Sequence, residues 1–201
     1  MIKILGQLPE HFYLAFSGGV DSLAAAHFLK NGKKKFALAH FHHGCEYSND
    51  IATACWKLAE GLGIKITVGY ARPDKKEPGQ SLEQFWRAER YEFFKNMASP
   101  EAPIVTCHHL DDAVESWVWS SLHGKPHVIK PVTESGNVIR PFLLTEKAEF
   151  QRYAYKHGLT PVPDPYNSDL TLTRNYIRSN IIPHAYHVNP GLKKVIRKKY
   201  L

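Results

Sequence analysis

The 201-residue chain carries 26 basic against 19 acidic side chains, a formal net charge of +7, and 43% apolar residues. That apolar share supplies a core for one domain, or one domain with a small appendage, and excludes a disordered chain. No stretch approaches the about 20 apolar residues of a membrane span, and MIKILGQLPEHF lacks the segments of a secretory signal. The expectation is a cytoplasmic protein with no membrane partner. Cys45, Cys55 and Cys107 form no C-x-x-C pair, which argues against a disulfide scaffold and a cysteine-rich zinc or iron–sulfur site. The positive excess favours an anionic partner such as nucleic acid.

In chain order, FYLAF at 12–16 reads as a strand and 21–30 as a helix; 36–41 is a second strand, followed by a helix over 49–60. Gly61 and Gly63 stop that helix before a strand at 64–70. ARPDKKEPGQ is a charged loop. The next helix, 81–96, opens at Ser81 with Gln84 three residues on, the capping-box spacing. A strand at 103–107 leads into a helix over 111–122, and 124–138 is broken by Gly and Pro before VIRPFL. A helix over 145–157 ends at Gly158. TPVPDPYNSD cannot be a helix interior, and the last helical region, 172–182, is interrupted by Pro183.

Short apolar strands alternating with helices predict an α/β fold: three layers, a mostly parallel sheet with helices on both faces, Rossmann-like in design. The expected organisation is a catalytic domain over 1–160 with a helical extension over 161–201 packed on it. Binding chemistry in such folds gathers beyond the carboxyl ends of the strands.

Four stretches lie there. After the first strand, SGGVDS offers Ser17, Gly18, Gly19, Asp21 and Ser22; its backbone N–H groups and the helix start suit an anion. Asp21 would repel a bare phosphate, which makes sense beside a magnesium ion; the plainer reading is a capped βα turn. HFHHG follows the second strand. His40 and His42 face opposite to His43, so the three make a poor metal set, and a histidine beside a nucleotide or an ordinary hydrogen-bonded one fits better. CHHLDDAVES opens a helix with Asp111 and Asp112; Asp111 and Glu115, four apart, share a face suited to magnesium or an amine, or the acids simply cap the helix. Arg174 and Arg178, also four apart, suit phosphate or carboxylate, or a surface salt-bridge pattern. The tail GLKKVIRKKYL is a phosphate-tracking face or a solvated charge run.

These residues also carry a resemblance. SGGxDS at 17–22 resembles the PP-loop, or N-type ATP pyrophosphatase, superfamily. His40-Phe41-His42-His43-Gly44, then Glu83, Arg87, Arg90, Tyr91 and Phe94, then His109-Leu110-Asp111-Asp112 with Glu115, then Ile139-Arg140-Pro141-Phe142-Leu143, are similar to the tRNA(Ile)-lysidine synthases within it. Asp164, Asn167, Arg174, Asn175, Ile177, Arg178 and Pro183 complete that likeness, which covers residues 12–192. SSLHGKPHVIKPVTESG departs from it, with His123-Gly124 where the family has Arg-Gly.

The resemblance implies an ATP- and Mg2+-dependent ligase. It adenylates the C2 oxygen of the wobble cytidine of an isoleucine tRNA with a CAU anticodon, and L-lysine then displaces AMP. It assigns ATP to Ser17, Gly18, Gly19, Asp21, Ser22, His42, Arg90 and His109. Catalysis falls to Asp21, Asp111, Asp112, Glu115, Arg174 and Arg178, and magnesium to Asp21 and Asp111. Other adenylating PP-loop enzymes, thiolases or amide-forming ligases, and a non-catalytic RNA-binding relative share much of this pattern. A monomer and a homodimer are both compatible with it.

Overall fold

The computed structural model describes residues 1–163 and 165–201, without the side chains of Asn167 and Ser168; Asp164 and the Asn167 side chain of the motif above lie outside that description. The strands are β1 (His11–Ala15), β2 (Lys35–His42), β3 (Ile66–Tyr70), β4 (Ile104–Val105) and β5 (Val138–Ile139). They form one sheet in the order β3-β2-β1-β4-β5, and every pairing is parallel. The helices are α1 (Val20–Asn31), α2 (Ser48–Leu62), α3 (Leu82–Met97), α4 (Leu110–Leu122), α5 (Lys147–Lys156), α6 (Thr173–Tyr176), α7 (Ile182–Val188) and α8 (Leu192–Arg197).

Strand alternation decides which helices cover which face. Phe12, Leu14 and Leu38 point into a core shared with Leu23 and Leu29 of α1, Cys55 and Ala59 of α2, and Phe150 of α5. Tyr13, Ala15, Ala39 and Ile104 point the other way, against Phe94 and its neighbours on α3. A third cluster joins Leu110, Val114 and Val118 of α4 to Ile177, Ile182, Leu192 and Ile196, so α8 is anchored on α4. This is the expected three-layer α/β fold. No helix among the described residues is long and apolar enough to cross a membrane.

Some expected boundaries shift. The strand expected at 103–107 pairs in register only at Ile104–Val105, and the Thr106 N–H adds one further bond to the Ile139 carbonyl (2.9 Å). The helix over 145–157 narrows to Lys147–Lys156. Pro183 does not interrupt the last helical region. Ile177–Ile181 widen into a π turn, and Pro183 sits in the first turn of α7, where its missing N–H is tolerated. The helical path therefore continues to Val188.

Close packing between β3 and α3 generates a stability test. A Cβ at Gly69 would lie 2.5 Å from the Phe93 ring. Gly69→Ala is expected to lower unfolding free energy by about 1–3 kcal/mol, the usual range for overpacking, as measured by urea denaturation. Wild-type stability would contradict this packing.

Candidate active site

The sheet order reverses between β1 and β4: the chain leaves β1 toward β2 on one side and β4 toward β5 on the other. A crevice opens at such a point, beyond the carboxyl ends of the two strands. The N-termini of α1 and α4 flank it.

On the α1 side, residues 17–22 form a preformed cradle. Gly18 has φ +77°, a left-handed conformation, and a Cβ there would lie 2.7 Å from Val162 Cγ2 and 2.9 Å from Cys55 Sγ, so glycine is required twice over. The Ser22 hydroxyl donates to the Gly19 carbonyl (3.1 Å) and accepts from the Ser17 N–H (3.3 Å); the Gly19 N–H donates to Ser17 Oγ (3.3 Å). No side chain among the described residues caps the N-terminus of α1, which leaves its first N–H groups free for a ligand at the crevice. Asp21 Oδ1 is buried there without a hydrogen-bond partner among the described residues.

From α4, His109 reaches across to this aspartate, its Nε2 3.6 Å from Asp21 Oδ2. The same histidine caps α4: its Nδ1 accepts from the Asp112 N–H (3.3 Å), and Asp112 Oδ2 accepts from the His109 N–H (2.9 Å). Burial lowers the His109 pKa, but the charges of Asp112, Asp21 and Asp111 outweigh it and hold the imidazole above its ordinary value.

One turn along α4, Glu115 is buried, its side chain 6% exposed. It accepts from Arg178 Nε (3.0 Å) and Nη2 (2.8 Å), and Arg174 Nε lies 3.8 Å away. Burial and the Asp112 charge hold its carboxyl above the usual range against the pull of Arg178. Arg174 also meets Glu83 of α3 at 3.6 Å. Asp21 and Asp112 both act on Arg178, so Asp21, Asp112, Glu115 and Arg178 share one electrostatic environment.

Three expected residues point elsewhere. Asp111 has both oxygens engaged, Oδ1 with Lys193 (2.6 Å) and Oδ2 with the Lys147 N–H (2.8 Å), at the start of α5. Asp111 and Glu115 thus serve different partners although they are one turn apart. His42 is held locally, Nε2 2.9 Å from Asn49 Oδ1 and Nδ1 accepting from the Gly44 N–H (3.2 Å). Arg90 lies on the α3 side, among Tyr91, Arg87, Arg174 and Glu83. The histidines diverge: buried His40 donates from Nδ1 to the Phe16 carbonyl (2.8 Å), and His43 packs against Phe41 and Trp86. Burial, with Arg90 beside it, pushes His43 down to about 4. Among the described residues no three His, Cys, Asp or Glu side chains form a metal-holding group.

One participant escaped the sequence reading: Lys193 stood only as one charge of a basic tail. The tail is divided: Lys193 and Arg197 pair with Glu146 (3.2 and 2.6 Å), whereas Lys194, Lys198 and Lys199 are exposed. An apolar spacing of four, Leu192 and Ile196, was the signal that one face of the tail is packed.

The family profile described as a PP-loop domain matches residues 3–185. The chain belongs to the PP-loop family. Among curated PP-loop relatives, the tRNA(Ile)-lysidine synthase of Pseudomonas putida is 31% identical over 185 residues, 86% of this chain and 43% of its own. The protein of the same name from Persephonella marina is 31% identical over 199 residues, 92% and 43%. That from Pseudomonas aeruginosa is 33% identical over 182 residues, 85% and 40%. The chain therefore spans less than half the length of the curated relatives it matches. The PP-loop fold is also similar to NMN synthetase from Francisella tularensis, with a TM-score of 0.51 at 14% identity over 76% of this chain and 63% of that one. For NH3-dependent NAD synthetase from Campylobacter jejuni the TM-score is 0.53 at 11% identity, over 97% and 86%.

The Glu115–Arg178 pair makes the site's first prediction. Arg178→Met leaves a buried carboxylate with only Arg174 nearby. Because the Arg178 side chain is 41% exposed, the expected loss is about 1–3 kcal/mol, below the range for fully buried pairs. Adding Glu115→Gln should restore most of it in the same urea titration. A single variant as stable as wild type would contradict the pairing.

Proposed function

We propose that this PP-loop protein is a tRNA(Ile)-lysidine synthase-type ligase. It uses ATP to adenylate the C2 oxygen of a tRNA cytidine and joins the ε-amine of L-lysine to C2 with release of AMP. The observation that carries the reading is the buried Asp21 oxygen, without a partner among the described residues, beside a start of α1 that none of them caps. A loop built from two glycines and two serines, with a helix dipole behind it, suits a pyrophosphate group. The orphaned carboxylate oxygen suits a cation bound with that group. Similarity to the curated relatives supports the choice of tRNA and lysine.

In the first step the cytidine O2 attacks the α-phosphorus and pyrophosphate leaves. In the second, the unprotonated lysine amine attacks C2, the C2–O bond breaks, and AMP carries the electron pair away. Such transfers depend on positioning and charge neutralisation more than on a nucleophilic side chain. The N–H groups of residues 18–22 and the α1 dipole hold the pyrophosphate portion. Asp21 would hold Mg2+, which supplies neutralising charge to the phosphates. His109 keeps Asp21 and Asp112 together across the crevice. Glu115 holds Arg178 through Nε and Nη2, and the remaining guanidinium donors would serve to neutralise developing negative charge. Asp111, tied to Lys193 and the α5 start, contributes by holding the first turn of α4 in place.

The test is incubation with ATP, magnesium, radiolabelled lysine and bulk tRNA. ATP-dependent label in the tRNA fraction is expected, with Asp112→Asn lowering the rate by about 10²-fold or more. ATP–pyrophosphate exchange without lysine transfer points to another adenylating reaction and overturns the lysine assignment. Absence of ATP turnover overturns the catalytic reading in favour of an RNA-binding relative.

A further inference from the structure

The end of the sheet opposite the crevice carries a concentration of positive charge. There α1 and α2 both finish, at Gly32 and Gly63, and β2 begins at Lys35. An open groove of about 350 Å³ lies among these ends, lined by Lys30, Lys34, Lys35 and Lys65 together with Phe36 and Ile64. All four lysines are exposed, and so is Lys33 beside them. The Leu38 N–H donates to the Lys65 carbonyl (2.7 Å), which sets Lys65 next to the start of β2.

The plain account of lysines at helix ends is that they neutralise the carbonyls there. Lys30 does so, donating to the Leu62 carbonyl at the end of α2. The others go beyond that need. Lys75, Lys130 and Lys193 meet glutamates within 4.0 Å, whereas Lys34, Lys35 and Lys65 meet no carboxylate at that distance among the described residues. Glu10, before β1, and Glu60, in the last turn of α2, are exposed and stand outside the groove's lining. A helix end carries only about half a charge. Both helix ends and both glutamates therefore leave the lysines at 30, 33, 34, 35 and 65 with positive charge in excess. Lys33 also adopts φ +56°, a left-handed conformation in which glycine is unstrained, so the run of lysines is kept at a backbone cost.

Strand direction places this groove away from the crevice. The sheet is parallel, and β2 runs from Lys35 at the groove to His42 at the carboxyl edge, about 23 Å along its length. A ligand touching both ends must exceed that span, which a folded RNA does and ATP or lysine does not. Exposed ammonium groups act as point charges on flexible stems. They suit sequence-independent neutralisation of successive backbone phosphates better than the fixed bidentate grip of a small anion.

We propose that Lys34, Lys35 and Lys65, with Lys30, form a distal contact that receives backbone phosphates of the RNA whose reacting base occupies the crevice. The proposal rests on the RNA-acting reading above. Its test is retention of bulk tRNA by wild-type protein and by Lys34→Gln/Lys35→Gln/Lys65→Gln, without ATP, across a salt series, with thermal melting checking the fold. Lys30 stays in place because it holds the end of α2. The triple substitution is expected to weaken tRNA binding about tenfold or more near 0.1 M salt and to reduce the slope of log K against log salt by about two to three. ATP affinity, measured by calorimetry, is expected to stay at the wild-type value. If the triple variant melts early, Lys34→Gln alone, with an expected slope loss of about one, decides the matter. Wild-type tRNA affinity and slope in the folded variant overturn the contact. So does an equal loss in Lys57→Gln/Lys95→Gln/Lys156→Gln, which removes the same charge from exposed positions on other helix faces and would reduce the effect to net charge. A proportional loss of ATP affinity overturns it as well. Wild-type protein whose tRNA retention depends on these lysines but which transfers no lysine sinks the ligase reading and leaves the groove standing; wild-type protein that retains no tRNA sinks both.

Discussion

The reversal of strand order between β1 and β4 is the constraint on which the rest depends. It sets two helix N-termini side by side, α4 capped by His109 and α1 without a side-chain cap among the described residues, each with an aspartate in its first turn. Like charges so placed repel unless something positive or dipolar lies between them. His109 fills that role within the protein: capping α4 with one ring nitrogen and facing Asp21 with the other, it joins the two ends into one acidic rim. The oxygen of Asp21 that it does not satisfy is the part of the rim left for a ligand.

Buried charge is handled in two contrasting ways around this crevice. Glu115 is removed from water and compensated by a two-donor contact from Arg178, with Arg174 behind it linking α3 and α4. Asp111 and Glu146 are likewise compensated by Lys193 and Arg197, which fastens α8 to the starts of α4 and α5. Those contacts complete themselves inside the chain. Asp21 Oδ1 and Arg140 Nε, buried and without a hydrogen-bond partner among the described residues, do not. An interior that pairs most of its charges and leaves these few open separates scaffold from binding surface.

The fold was legible in the sequence because parallel strands buried on both faces read as apolar runs, and the glycines at 63 and 158 mark real helix ends, whereas Gly61 lies inside α2. SGGVDS and HLDD could be placed at the crevice for the same reason: each follows a strand and opens a helix. What was illegible is which way a side chain turns once two carboxylates are adjacent. Asp111 and Asp112 are equivalent as letters, yet the α5 start draws the first away while the His109 cap fixes the second. Pro183 misled for a different reason. Its effect on a helix depends on the turn before it, and the π turn at Ile177–Ile181 has no composition signal. Long-range pairing likewise hid Lys193 within a run of like charges.

The central claim is that the Asp21 oxygen beside the α1 start binds ATP through a divalent cation. Calorimetric titration with ATP, at a series of magnesium concentrations, tests it directly in wild-type protein and Asp21→Asn. Magnesium should tighten ATP binding to the wild type, and the substitution should remove most of that magnesium dependence while leaving the melting temperature near the wild-type value. Equal magnesium dependence in the two proteins would contradict the account.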